Sequence, residues 1–199
     1  MLQTSYGSLT VGLDAKSGQS LLIRGRNLLG RHGNRSPGEA VGTHCPCDHP
    51  RCEQSVELTA IGGVDHVIVD DGAVAGQVRD ILPGGVDLAL ELVGTPTLPD
   101  TLRATRVHGT VCFTGMLSNE WTVKDFYPID YIPRGVRLTS YGGGDASDLP
   151  AGVLQDFLSA VASGEAVVPI DEVFAFEDIA RAHAKMEAGT ARGKLVVVL

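Results

Sequence analysis

Short segments that are apolar on both faces alternate along this chain with stretches of helical periodicity. That alternation restricts the fold more than any other feature of the sequence. Leu21-Leu22-Ile23, the run His66-Val67-Ile68-Val69-Asp70, and residues 86–93, 109–115, 136–141 and 194–199 all read as strands. Val111-Cys112-Phe113 forms the centre of the fourth of these. Helices are expected over 73–81, where Val74, Val78 and Ile81 recur at helical spacing before Pro83-Gly84-Gly85. Further helices are expected over 97–106, over 177–188, and over 151–163 with its stripe of Val153, Leu154, Phe157, Leu158 and Val161. A strand without a polar face needs cover on both sides, which a parallel sheet between helices supplies.

Right-handed crossovers then make the fold class α/β, a doubly wound, parallel, Rossmann-like sheet, and in such sheets ligands bind at the carboxyl ends of the strands. Those ends carry Gly94, Thr114-Gly115 and Gly142-Gly143-Gly144. Residues without a β carbon serve either close approach to a ligand or tight turns. With 25 glycines in 199 residues, both uses stay open. The net charge of −8 disfavours nucleic acid and anionic lipid as partners. No apolar run approaches the roughly 20 residues of a membrane span. The first twenty residues lack a basic region followed by an apolar one, so a cytoplasmic location is expected.

One stretch does not belong to this pattern. Residues 26–52 hold four Arg, three His, three Cys, three Pro and four Gly, without helical or strand periodicity. A doubly wound sheet needs its first helix and second strand here, so both are expected to be disrupted. His44, Cys45, Cys47, His49 and Cys52 supply enough imidazoles and thiolates for a tetrahedral zinc site. However, Cys-x-Cys is tighter than the usual zinc knuckle, and no second paired module follows. A small zinc-binding module through Cys45–Cys52 is therefore the third reading of the chain, and no metal ligand is assigned.

Several segments, in order, resemble a known family. They are Leu13-Asp14-Ala15-Lys16-Ser17-Gly18-Gln19-Ser20-Leu21-Leu22-Ile23-Arg24-Gly25, Gly62-Gly63-Val64-Asp65-His66-Val67-Ile68 and Val86-Asp87-Leu88-Ala89-Leu90-Glu91-Leu92-Val93-Gly94. Gly109-Thr110-Val111-Cys112-Phe113-Thr114-Gly115-Met116 and Gly193-Lys194-Leu195-Val196-Val197-Val198 continue the series. Together they are similar to the cofactor domain of quinone oxidoreductase-like enzymes in the medium-chain dehydrogenase/reductase superfamily, the "zinc-binding dehydrogenase" family. The likeness covers about residues 1–25 and 53–199. It implies an NADP-binding domain over 1–164 and a C-terminal segment over 165–199 that returns to a catalytic domain preceding this chain. It also implies an NADPH-dependent oxidoreductase that passes hydride to a quinone or conjugated carbonyl, without a catalytic metal.

On the same resemblance, Gly25, Val93 and Gly94 would border the cofactor. Thr114, Gly115, Met116 and Leu117 would lie beside nicotinamide and ribose, and Tyr141, Gly142 and Gly143 would follow at the same rim. No catalytic residue is assigned. Trp121, Phe126, Tyr127 and Tyr131 either line the substrate cleft or pack the loop or a subunit boundary, with packing favoured. His183 reads as a helix-surface or packing residue. A homodimer through the strand over 137–141 is implied in the same way.

The family shows Gly-Gly-Thr-Ser-Ser-Val-Gly, a helix, a strand and Ala-Thr-Thr-Arg where this chain has residues 26–52. Our hypothesis is that this stretch is translated out of frame. If each codon's last two bases are joined to the first of the next, Asn27–Gly33 can encode Thr-Ser-Ser-Val-Gly-Met-Ala. In the same frame Pro37-Gly38-Glu39 can encode Leu-Ala-Lys, and Cys45–Pro50 can encode Val-Leu-Ala-Thr-Thr-Arg. His32 permits only Met or Thr, Glu39 only Lys or Arg, and Asp48 and His49 only Thr or Ile; all four meet the pattern. As it stands, Gly25-Arg26-Asn27-Leu28-Leu29-Gly30 lacks the small run that cradles pyrophosphate, and Asp48-His49-Pro50 replaces the Thr-Thr-Arg. The alternative to an active enzyme is therefore a truncated, non-catalytic remnant with impaired cofactor binding. Sequencing the coding DNA from codon 20 to codon 65 checks the hypothesis: the alternative frame is expected to spell these motifs, and a frame that does not removes it.

Overall fold

The structure is a computed structural model that describes residues 2–25, 65–143, 149–191 and 193–199, and the main chain of 40–44. Six strands form one parallel sheet in the order β3-β2-β1-β4-β5-β6. They are β1 (Leu21–Arg24), β2 (Ala40–His44), β3 (His66–Val69), β4 (Val86–Glu91), β5 (Thr105–Phe113) and β6 (Arg137–Ser140). The order reverses between β1 and β4, the switch point at which a doubly wound sheet opens a crevice.

Alternation along the strands separates two apolar layers. Leu22 of β1, Ala89 of β4 and Val111 of β5 face a buried cluster with Val74, Val78, Leu98 and Leu102. These last four come from α2 (Ala75–Ile81), the residue before it, and α3 (Leu98–Ala104). On the opposite face, Leu88, Leu90 and Cys112 pack with Leu13, and with Leu9, Leu21, Ile23 and Tyr141 around them. Leu9 lies in a π-helical turn (Ser8–Gly12) that continues α1 (Leu2–Gly7), and Leu13 follows that turn. The helical start is absent from the sequence reading because it lacks an apolar stripe. Contact holds it instead: a β carbon on Gly7 would overlap the Tyr141 ring, and one on Gly12 would overlap the Cys112 sulfur.

The expected loss of the second strand is corrected. Ala40–His44 pairs in parallel with β1 on one side and β3 on the other. The slot between those strands is one strand wide, and main-chain N–H and C=O groups on both flanks need partners whatever side chains fill it. The expected disruption of the first helix falls on residues outside those described. The strand expected over 109–115 begins earlier, at Thr105, through a register shift opposite Val86 and Leu88 and a positive φ of 67° at His108.

After α4 (Pro128–Tyr131) and β6, α5 spans Ala151–Ser163 as the sequence implies, and Gly164 closes it in a left-handed conformation (φ 80°). Its Leu154, Leu158 and Val161 nevertheless stand exposed. β7 (Ile170–Ala175) and β8 (Lys194–Val198) form a separate parallel pair, flanked by α6 (Ile179–Glu187). No described helix is long and apolar enough to cross a membrane.

At the amino end of the large sheet, Asp87 ties β4 to the residue preceding β1. Its carboxylate accepts hydrogen bonds from the Ser20 N–H (2.8 Å), the Ser20 hydroxyl (2.7 Å) and Arg106 Nε (2.6 Å). Partial burial pushes this carboxyl up, but the Ser20 hydrogen bonds and the Arg106 charge outweigh it and hold its pKa below the usual value. A depressed folded-state pKa contributes stability above the unfolded value, near pH 4, and that stability disappears as pH falls through the folded value. Asp87→Asn is therefore expected to cost about 1 kcal/mol at neutral pH. The difference from wild type should vanish in urea titrations well below pH 4.

Candidate functional site

Three strands end in charged residues that the apolar sheet should exclude. Arg24 closes β1, Glu91 closes β4, and Asp70 follows β3; Arg24 and Glu91 are fully buried and Asp70 nearly so. Charges are tolerated there only when paired and hydrogen-bonded. Arg24 Nε and Nη2 donate to the two Asp70 oxygens, each at 2.7 Å. Its Nη1 donates to Asp100 Oδ2 (3.0 Å), the Thr101 hydroxyl (3.1 Å) and the Thr97 carbonyl (3.1 Å). Burial works against the guanidinium charge, but the Asp70 hydrogen bond and the Asp70, Glu91 and Asp100 charges raise its pKa above the usual value. Asp100 Oδ2 also accepts the N–H groups of Val74 (2.7 Å) and Ala75 (3.2 Å), where α2 begins.

The Glu91 carboxylate accepts the N–H groups of Val93 (2.8 Å) and Gly94 (3.0 Å) and the hydroxyls of Thr97 and Thr101. Burial pushes its carboxyl up, while the Thr101, Gly94 and Thr97 hydrogen bonds and the Arg24 charge pull the other way. Close by, the Tyr131 hydroxyl is buried without a hydrogen-bond partner among the described residues, and burial followed by the Glu91 charge raises its pKa.

Above this network the carboxyl-end loops of β1, β4, β5 and β6 lie side by side, since these strands are neighbours in the sheet. They carry Gly25, then Val93 and Gly94, then Thr114, Gly115, Met116 and Leu117, then Tyr141, Gly142 and Gly143. All ten residues marked in the sequence thus stand at one rim. Adjacent loops are stitched together: the N–H groups of Thr114 and Gly115 donate to the Glu91 carbonyl, and that of Leu117 donates to the Leu92 carbonyl. The Ser118 N–H donates to the Val93 carbonyl, and the Tyr141 N–H to the Phe113 carbonyl. Ser8 of the π-helical turn bonds the Thr114 hydroxyl at 3.0 Å.

Packing accounts for three of the glycines. A β carbon on Gly25 (φ 152°) would lie 2.7 Å from Leu92 Cβ, and one on Gly94 (φ 131°) would lie 2.5 Å from Ser118 Oγ. On Gly115 it would lie 2.5 Å from the Leu92 carbonyl oxygen. Among the described residues, nothing lies within 4 Å of a β carbon on Gly142, and only the Thr4 hydroxyl, at 4.0 Å, approaches one on Gly143. The three packed glycines suit a platform whose β1, β4 and β5 loops lie tightly together.

The aromatic loop packs in part within itself. Trp121 is 67% exposed and Tyr127 56%, while Phe126 and Tyr131 meet edge-to-face with ring centroids 4.9 Å apart. His183 stands on the exposed surface of α6. Among the described residues no group of three His, Cys, Asp or Glu is arranged to hold a metal. Cys112 is buried, 3.4 Å from the Thr114 hydroxyl. The described residues therefore do not fit a zinc site. Gly144, Cys45, Cys47, His49, Cys52, Arg26, Arg31, Arg35, Arg51 and the frame-shift hypothesis lie outside the described residues, as does the His44 side chain.

The charged network is absent from the sequence reading, although a signal existed. Arg24, Asp70 and Glu91 each terminate an apolar strand at the same end of the sheet, and parallel strands bring such ends together.

A family model described as zinc-binding dehydrogenase matches residues 62–197. Among solved structures, a mycobacterial protein complexed with NADPH superposes with a TM-score of 0.75 at 20% identity, over 100% of this chain and 62% of that one. A quinone oxidoreductase of Pseudomonas syringae gives 0.76 at 19% identity, over 100% and 62%. A 2-haloacrylate reductase gives 0.76 at 18%, over 100% and 63%. The chain thus spans less than two thirds of the length of each, and at these identities the likeness is one of fold. No curated protein matches.

Replacing Arg24 by Met strands Asp70 and Asp100 in the interior, and is expected to cost about 3–5 kcal/mol in urea unfolding. Adding Asp70→Asn to that variant should recover part of the loss, because the two side chains act as one unit.

Proposed function

The chain belongs to the zinc-binding dehydrogenase family, and on that premise we propose that it is the cofactor domain of an NADPH-dependent quinone or enone reductase. The observation that carries this reading is the loop platform at the sheet's switch point, with ten residues from four neighbouring strand ends forming a single rim. The solved neighbour complexed with NADPH supports the choice of cofactor. When bound, NADPH supplies a hydride to an electron-poor carbon of the substrate. In this reading Val93 and Gly94 border the dinucleotide, and Thr114 to Leu117 flank its nicotinamide and ribose. Tyr141, Gly142 and Gly143 close the β6 end of the rim. The contribution of these residues is placement, which shortens the search for a reactive geometry. The segment over 165–199 returns to a catalytic domain, and the edge strand β6 is where a second copy would pair.

The second reading, a remnant with impaired binding, is favoured by residues 26–52, which lack the phosphate-cradling run. Thermal unfolding with and without NADPH tests both. A ligand that binds only the folded state adds about 2.7 kcal/mol at a hundredfold excess over its Kd. We expect little protection of the chain as it stands. A version carrying the alternative-frame residues over 26–52 should be raised by several degrees. Absence of protection in that version overturns the cofactor-domain reading, and full protection of the present chain overturns the remnant reading.

A further inference from the structure

Glu91 touches four of the ten rim residues through two different parts of itself. Its main-chain carbonyl accepts the N–H groups of Thr114 (3.0 Å) and Gly115 (3.1 Å). Its side chain accepts those of Val93 (2.8 Å) and Gly94 (3.0 Å). The effect continues along the β4 loop, because the Leu92 and Val93 carbonyls then take the N–H groups of Leu117 (3.1 Å) and Ser118 (2.8 Å). The Thr97 hydroxyl bonds the same oxygen as the two amides, the Thr101 hydroxyl bonds the other, and the side chain is fully buried. A carboxylate so engaged is closed to any ligand but fixes the groups it holds.

We infer that Glu91 is the positioning residue of the rim: its buried carboxylate draws the Val93 and Gly94 N–H groups inward and so sets the spacing between the β4 loop and the Thr114 to Leu117 loop. The consequence for NADPH rests on the proposed function; the geometric role does not. Glycine at 94 permits the turn, and Glu91 selects it from the conformations a glycine allows. The groups that face the carboxylate are Arg24 of β1, Thr97 and Thr101 at α3, and Tyr131 of α4. Asp70 and Asp100 stand behind Arg24. Burial pushes the carboxyl above its usual range, which gives the rim a titration that can be observed. Protonation turns one acceptor oxygen into a donor and weakens its hold on the two amides.

The test uses the full chain, labelled with nitrogen-15, as wild type, Glu91→Gln and Glu91→Leu. In the wild type the Val93 and Gly94 amide resonances should titrate together, with a midpoint above the usual glutamate value of about 4.3. That titration should be absent in the Gln variant. Hydrogen exchange at the two amides should rise at least about tenfold in the Leu variant beyond the change at the most protected core amides. The Gln variant keeps an acceptor oxygen and should recover most of that protection. Should the Leu variant fail to fold, the wild-type and Gln titrations still decide. Amides that ignore pH in the wild type, or titrate unchanged in the Gln variant, overturn the inference. NADPH affinity, measured on the version carrying the alternative-frame residues over 26–52, should fall when Glu91→Leu is added and recover with Glu91→Gln. A wild type that shows the expected titration, beside an alternative-frame version that binds no NADPH, leaves the positioning role standing and counts against the proposed function.

Discussion

A guanidinium with no exposure to water must be matched on every side, and that requirement at Arg24 organises the carboxyl ends of the sheet. Arg24 holds β1 to Asp70 after β3 and to Thr97, Asp100 and Thr101 at the start of α3. Asp100 passes the constraint to the first amides of α2. Thr101 passes it to Glu91, and Glu91 to the β4 loop. Burying these charges is costly, so the network does little for net stability compared with an apolar core of the same volume. It gives specificity: few arrangements of these loops leave every buried charge partnered.

The rim is a consequence of that network and of close packing, before any ligand is considered. Gly25 and Gly115 lack room for a β carbon against Leu92, and Gly94 lacks it against Ser118. The loops of β1, β4 and β5 thus approach one another more closely than side chains would allow. A platform built this way owes its shape to its own packing, and preorganisation of that kind lowers the ordering cost of binding any ligand. The chain belongs to the zinc-binding dehydrogenase family, and among its described residues no group of three His, Cys, Asp or Glu is arranged to hold a metal.

Secondary structure was legible wherever local pattern and burial agree. Helix α5 keeps the bounds that its periodicity implies, although Leu154, Leu158 and Val161 of its apolar stripe stand exposed. β1 and β4 fall on runs of apolar residues that two layers bury, and β3 on a run whose Ile68 joins the first of these layers. Pattern failed in three places. β2 forms from a segment without strand periodicity because its neighbours leave a slot of unpaired main chain. The helical start, Leu2 to Gly12, is held by what lies beneath Gly7 and Gly12. β7 is defined by its partner β8 more than by its own residues.

The sequence by itself determined the fold class, the identity of most elements, and the set of residues that stand at the strand ends. Those properties depend on periods of 2 and 3.6 residues and on where glycine interrupts them, all within a few positions of chain. Only the tertiary structure decided which strand ends adjoin and that Arg24, Asp70, Glu91 and Asp100 form one buried group. It alone showed that Glu91, unmarked in the sequence, holds the loops its neighbours were marked for. Partners that are 46 and 76 residues from Arg24 in the chain carry no local signature, because a buried charge is satisfied by whatever the sheet order brings to it.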